Sequence, residues 1–235
     1  MNSTATGAAG LAPAETVLVF DVNETLLDLK VLDPYFETAF GSASVRGQWF
    51  AQMLQLAFVG AITERYVDFT SAQRAALTML AERQGVDLDP TLAQTIVDSM
   101  SRLPPHEEVA GALGRLAANG WRLVALTNSP KVVVTSQLEN AGVQPYFEAI
   151  FSADEVRSLK PSARAYLMSA ERLGLPPSRL CLVAAHAWDV SGALAAGLKA
   201  AFVARGGVVP SPLGEPPTLR VADIAELAER LTGRV

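Results

Sequence analysis

The stretch VLVFDVNETLLDL, Val17 to Leu29, decides how the chain is read. Its first four residues are apolar without alternation and run straight into Asp21, the pattern of a strand buried on both faces that ends on an acid. A carboxylate placed there without a partner or a use is costly. Asp21 is therefore the first candidate for chemistry, and the polar residues just after it, Asn23 and Thr25, lie within its reach.

Working outward, similar apolar runs recur at Thr16–Val22, Arg122–Thr127, Ala149–Ser152, Leu180–Ala185 and Ala200–Ala204. Helical periodicity separates them at Glu107–Ala118, Lys131–Asn140, Ala163–Leu173 and Val190–Ala196. Gly120, Gly142, Gly174 and Gly197 stand where such helices stop. Alternation of this kind predicts an α/β fold with a doubly wound, parallel, Rossmann-like sheet. One segment departs from it. From residue 32 to 103 the periodicity is helical throughout, as in Val45–Gly60, Ser71–Gly85 and Pro90–Met100, bounded by LDP and LPPHEEV. This predicts an all-α cap domain over residues 32–103, inserted into a core domain made of residues 15–31 and 104–235. Open α/β sheets bind ligands beyond the carboxyl ends of their strands, where such a cap would sit.

Composition narrows the function. The 235 residues are 50% hydrophobic and 18% charged, with net charge −5 and no cluster of Lys or Arg. Nucleic acid and anionic membrane are poor partners for such a chain, and a small molecule is the better expectation. Cys181, the single cysteine, lies in an apolar run and cannot form an internal disulfide, which fits a reducing cytoplasm. Residues 1–14 lack a basic segment followed by an apolar one and are expected to be a disordered tail and not a signal peptide. No apolar run approaches the roughly 20 residues that span a bilayer.

Four polar spots fall at or just after predicted strand ends. They are Asp21 with Thr25, Thr127, Asn128 and Ser129 in LTNSP, Lys160 in SLKPS, and His186, Trp188 and Asp189 in HAWD. Each has a plain alternative: Asp189 could cap a helix starting at Val190, Thr25 could be a turn hydroxyl, and His186 and Trp188 could be core residues. Their order and shared placement argue for a site.

This constellation resembles the haloacid dehalogenase superfamily across nearly the whole chain. Within it the chain looks like the L-2-haloacid dehalogenase branch, through Trp188-Asp189 and the cap segment Arg65–Phe69, RYVDF. The resemblance implies hydrolytic dehalogenation of short 2-haloalkanoic acids, such as haloacetate and L-2-halopropionate, to 2-hydroxy acids. Asp21 would be the nucleophile and Lys160 would keep it ionised. Thr127 and Asn128 would help Lys160 to steady charge on its carboxylate, and Asp189 would orient or deprotonate the hydrolytic water. Groups around Asn23 to Thr25 would hold the substrate carboxylate. Homodimers are usual in the family, though no sequence feature here demands one.

Phosphatases of this superfamily use Mg²⁺ and a second acid two residues after the nucleophile. Here the second-acid position is Asn23, and a metal-ligating acid of the last motif aligns with Ala185, so neither metal nor cofactor is expected. Halide leaves as an anion and needs no proton. The family's cap arginine, which receives the halide, aligns with Phe50, while Leu54 and Phe69 match apolar pocket positions. Arg46, one turn earlier, is a conceivable substitute. The other expectation is a relocated halide site built from His186, Trp188 and Ser191, compact enough to favour fluoride, so that fluoroacetate enters the expected range. A phosphatase-like hydrolase of the same fold and a non-catalytic small-molecule binder remain the alternatives.

Overall fold

A computed structural model describes residues 10–233. The expected tail lies mostly outside them, but its last part is packed. Leu11 is buried in the core, and the Arg179 guanidinium donates to the carbonyls of Ala14 and Glu15.

The elements follow the order β1 (Val17–Phe20), α1 (Asp33–Phe40), α2 (Val45–Ile62), α3 (Phe69–Gln84), α4 (Pro90–Ser99), α5 (Val109–Ala118), β2 (Arg122–Thr127) and α6 (Lys131–Asn140). The chain continues through β3 (Ala149–Ser152), α7 (Ala163–Leu173), β4 (Leu180–Ala184), α8 (Ala187–Ala195), β5 (Lys199–Val203), β6 (Leu219–Val221) and α9 (Ile224–Thr232). The strands form one sheet in the order β3-β2-β1-β4-β5-β6, and every pairing is parallel. This is the doubly wound arrangement expected, with the strand order reversing at β1 and β4, so a crevice opens beyond their carboxyl ends. β1 is buried along its whole length, which explains its unbroken apolar run.

Between β1 and α5 the regular structure is helical. Helix α2 buries Val45, Trp49, Phe50, Met53, Leu54, Ala57 and Gly60, a stripe of helical period that faces the core. Trp49 Nε1, which would otherwise be a buried orphan, donates to the Gln73 carbonyl of α3 at 3.0 Å. Local signals set the other cap helices. Asp68 caps α3 by accepting from the Ser71 backbone, and Gly85 ends it at φ 66°; Asp89 caps α4 with Pro90 at its first position.

Two boundaries around the last motif depart from expectation in a way that bears on the site. The last motif leaves its strand at Ala184, because the Ala185 N–H donates to Thr25 Oγ1 and not to the sheet. The following helix starts at Ala187 and not Val190, with His186 at its cap, so Asp189 lies inside the first turn. β6 and α9 are additions to the expected elements. Asp223 caps α9 by accepting from the Glu226 N–H, while Glu226 reaches back to the Ala222 N–H.

Candidate active site

The carboxyl ends of β1, β2 and β4 meet the loop before α7, and together with α2 and the start of α3 they enclose a small cavity. Asp21, Asn23, Phe50, Leu54, Phe69, Thr127, Asn128, Lys160, His186 and Trp188 line it. The free volume is about 10 Å³, room for roughly one water molecule.

The centre of the site is electrostatic. Lys160 Nζ donates to Asp21 Oδ1 at 2.8 Å, to Asp189 Oδ2 at 2.6 Å and to the Leu126 carbonyl at 3.0 Å. An ammonium carries three hydrogens, and each has an acceptor. The lysine and both carboxylates are almost wholly shielded from solvent. Thr25 Oγ1 donates to the other oxygen of Asp21 at 2.7 Å and accepts from the Ala185 N–H at 2.9 Å, so both nucleophile oxygens are held.

Burial alone would raise the Asp21 pKa, but the charge of Lys160 and the hydrogen bonds from Lys160 and Thr25 outweigh it and hold the carboxyl below its ordinary value. Asp189 goes the other way. Burial first, and then the like charge of Asp21, raise its pKa against the opposing pull of Lys160 and Tyr166. Lys160 is raised despite burial, because two carboxylates face it.

Several expected roles take a different form. Asp189 does not line the cavity. Its Oδ2 accepts from Lys160 and its Oδ1 from the Tyr166 hydroxyl at 2.6 Å, so it reaches Asp21 through the lysine. Neither does it cap a helix, since it occupies an interior position of α8. Thr127 and Asn128 line the cavity but make no bond to Asp21. Asn128 brackets the Lys160 backbone, with Oδ1 accepting from its N–H at 2.7 Å and Nδ2 donating to its carbonyl at 3.1 Å; Thr127 Oγ1 accepts from the Ser129 N–H. Asn128 thus places the lysine, and the lysine meets the charge.

Ser191 is not at the cavity. With α8 starting at Ala187, it falls in the second turn, and its hydroxyl donates back to the Ala187 carbonyl at 2.9 Å. Arg46 does not reach in either. Its guanidinium pairs with Glu24 and Asp33, on a neighbouring cleft of ≈ 280 Å³ that also includes His106, His186 and Arg205.

The wall where a cap arginine is absent is aromatic. Phe50 stacks on His186 with centroids 5.5 Å apart, His186 stacks on Trp188 at 5.3 Å, and Phe58 meets Trp188 edge-on at 5.4 Å. His186 Nε2 lies 3.3 Å from the Asn23 carbonyl, an acceptor only, so that nitrogen carries the hydrogen. The Trp188 Nε1–H is buried with no partner among the described residues. As for a metal, among the described residues no group of three His, Cys, Asp or Glu side chains could hold one. The Lys160 ammonium also occupies the space between the two carboxylates that a divalent cation would share. The donor set does not fit Mg²⁺.

Tyr166 and Gln137 were not among the candidates from sequence. Tyr166 and Gln137 sit on the buried faces of α7 and α6, where an aromatic or a lone amide reads as core.

Known proteins share this fold and its sequence motifs. The family of haloacid dehalogenase-like hydrolases matches residues 16–197. The haloacetate dehalogenase H-2 of Moraxella sp. (strain B) is 31% identical over 87% of this chain and 92% of its own length. The (S)-2-haloacid dehalogenase of Pseudomonas sp. (strain YL) is 29% identical over 92% of this chain and 96% of its own. Among solved structures, the L-2-haloacid dehalogenase of Xanthobacter autotrophicus with chloropropionic acid covalently bound superposes with TM-score 0.84 at 25% identity, over 96% of this chain and 100% of that one. The motifs, the inserted helices over a parallel sheet and the family match converge, and the chain belongs to the haloacid dehalogenase-like hydrolases.

Proposed function

We propose that the protein hydrolyses the carbon–halogen bond of short 2-haloalkanoic acids, with Asp21 as a metal-independent carbon nucleophile. The observation that carries the reading is the buried Asp21–Lys160–Asp189 chain beside a small, apolar-walled cavity. A lowered pKa keeps the nucleophile ionised, and among the described residues that line the cavity Asp21 is the only carboxyl, so none there stands ready to protonate a leaving oxygen.

In the first step an Asp21 oxygen displaces halide from the α-carbon in line, forming an ester, and the bonding pair departs with the halide. Lys160 steadies the nucleophile before attack. In the second step water attacks the ester carbonyl, the alkyl–oxygen bond stays with the product, and a 2-hydroxy acid leaves. Lys160 and Thr25, already bonded to the two Asp21 oxygens, are placed to stabilise the charge that develops there. Asp189 takes the role of holding Lys160. The halide's donor is the Nε1–H of Trp188, which has no partner among the described residues; the His186 Nε2–H is held by the Asn23 carbonyl, and Ser191 does not contribute.

Phe50, Leu54, Phe69 and Trp188 wall a space that, as closed, holds no more than a water molecule, so two- and three-carbon acids, fluoroacetate among them, are the substrates that ask for the least opening. So closed a cavity also requires the cap to move for entry and release. The relatives support the reading through their names, a haloacetate dehalogenase and an (S)-2-haloacid dehalogenase.

Halide release from chloroacetate, L-2-chloropropionate and fluoroacetate tests it. Wild type is expected to release halide without added metal, and Asp21→Asn to release none. Mg²⁺-dependent release of p-nitrophenol from its phosphate, with no halide released, would replace this reading with a phosphatase.

A further inference from the structure

The amide of Gln137 has no place in the chemistry above, yet it is fully buried between Val134 and Leu138 on the inner face of α6. A buried amide must be bonded to be tolerated. Its Nε2 donates to the Met100 carbonyl at 2.6 Å and to Asn23 Oδ1 at 3.0 Å, and its Oε1 has no partner among the described residues.

These bonds settle the orientation of two amides in sequence. A backbone carbonyl can only accept, so Met100 dictates that Gln137 turns its nitrogen inward. The second hydrogen of that nitrogen then faces Asn23, which must answer with oxygen. Asn23 is left with its nitrogen on the other side. One of its hydrogens has a long bond to Ser129 Oγ at 3.3 Å, and the other has no partner among the described residues, while the residue itself lines the cavity beside Asp21. Were Gln137 reversed, its oxygen would oppose the Met100 carbonyl, which can only accept.

We propose that Gln137 is a positioning residue that holds Asn23 with its amide N–H toward the cavity, where it donates to the carboxylate of the substrate. This rests on the haloacid reading and deepens it. An incoming carboxylate must settle next to the ionised Asp21, so an N–H held in place adds to its binding, whereas an amide turned the other way would present a repelling oxygen. Met100 lies in the segment that returns the chain from the cap to the core, so the same carbonyl that orients the amides belongs to the cap's connection.

Gln137→Met removes both N–H donors at similar volume. The expected result is a rise in KM for chloroacetate of about tenfold, the scale of one hydrogen bond to a charged group, with kcat changed less than about threefold. In an Asn23→Ala background the same substitution is expected to add nothing to KM, because the group it positions is gone. An unchanged KM in a folded Gln137→Met protein, or effects of the two substitutions that multiply, would overturn the assignment. If Gln137→Met does not fold, Asn23→Asp decides. It keeps an acceptor for Gln137 but replaces the N–H with an oxygen, and a KM within twofold of wild type would overturn the proposal. Calorimetric binding of glycolate to wild type and the same variants separates this inference from the reaction. Tenfold weaker binding upholds the positioning role even if no 2-halo acid is turned over, whereas equal binding, or none by wild type, sinks it.

Discussion

Lys160→Met puts the electrostatic account at risk most directly. The substitution keeps the apolar stem but deletes an ammonium whose side chain is fully buried, between carboxylates at 2.8 and 2.6 Å. It leaves Asp21 and Asp189 facing each other without a counter-charge. Removing one partner of a buried ion pair costs about 3–5 kcal/mol, and here two acids share the loss.

The pH dependence distinguishes this from ordinary core damage. Without Lys160, burial and mutual repulsion raise the folded pKa of the acid pair above the unfolded value, so the folded state binds the extra proton. A raised carboxyl pKa means stability is lost as pH rises through the folded value and recovered as pH falls toward the unfolded value near 3.9. While one extra proton is bound, the deficit should shrink by about 1.4 kcal/mol per pH unit. Wild type should show a weaker trend, because Lys160 pulls down the Asp189 pKa that burial raises, while the lowered Asp21 pKa loses stability at more acidic pH and the raised Lys160 pKa at alkaline pH. Urea unfolding of both proteins at about pH 8 and about pH 5 reads the difference. A deficit below about 1 kcal/mol at the higher pH, or one that does not change with pH, would refute the reasoning.

Other outcomes follow from single contacts. Thr25→Val removes the hydroxyl between Asp21 Oδ2 and the Ala185 N–H, so kcat/KM should fall roughly ten- to hundredfold, with Thr25→Ser restoring most of it. Tyr166→Phe takes from Asp189 a donor that lowers its already raised pKa, and the acid limb of the kcat/KM profile should move to higher pH. The same change should destabilise the fold more at neutral than at acidic pH, since the folded state then gains affinity for a proton; an unmoved limb would show that Asp189 ionisation does not control the site. Gly192→Ala places a Cβ 2.6 Å from Pro161 Cβ and from the Tyr166 hydroxyl, and thermal unfolding should show a loss of about 1–3 kcal/mol.

Much of the fold could be read along the chain because its signals are local. Unbroken apolar runs placed β2 and β3, periodicity with a terminal glycine placed α6 and α7, and the lack of strand patterns between residues 32 and 103 marked the helical insertion. What was left open or missed also has local causes. Asp189 looks like a helix cap because an acid before Val190 would suit one, but three-dimensional partners, Lys160 and Tyr166, claim its carboxylate. α9 was missed although Asp223 and Glu226 form a capping pair, since the preceding residues are rich in Gly and Pro and carry no periodicity. In the site, strand-end placement revealed Asp21 and Lys160. Who bonds to whom was beyond reach: Asn128 serving the Lys160 backbone, Ser191 turned to its own helix, and Gln137 aimed at Asn23 from α6 are all outcomes of packing.

The central claim is that an Asp21 oxygen, and not water, attacks the carbon. A single turnover of chloroacetate by excess enzyme in ¹⁸O-labelled water, read by mass spectrometry of product and of the peptide holding Asp21, tests it. The account predicts unlabelled glycolate and one ¹⁸O on Asp21, because water attacks the ester carbonyl and the product keeps the original carboxylate oxygen. Labelled glycolate with unlabelled Asp21 would contradict it.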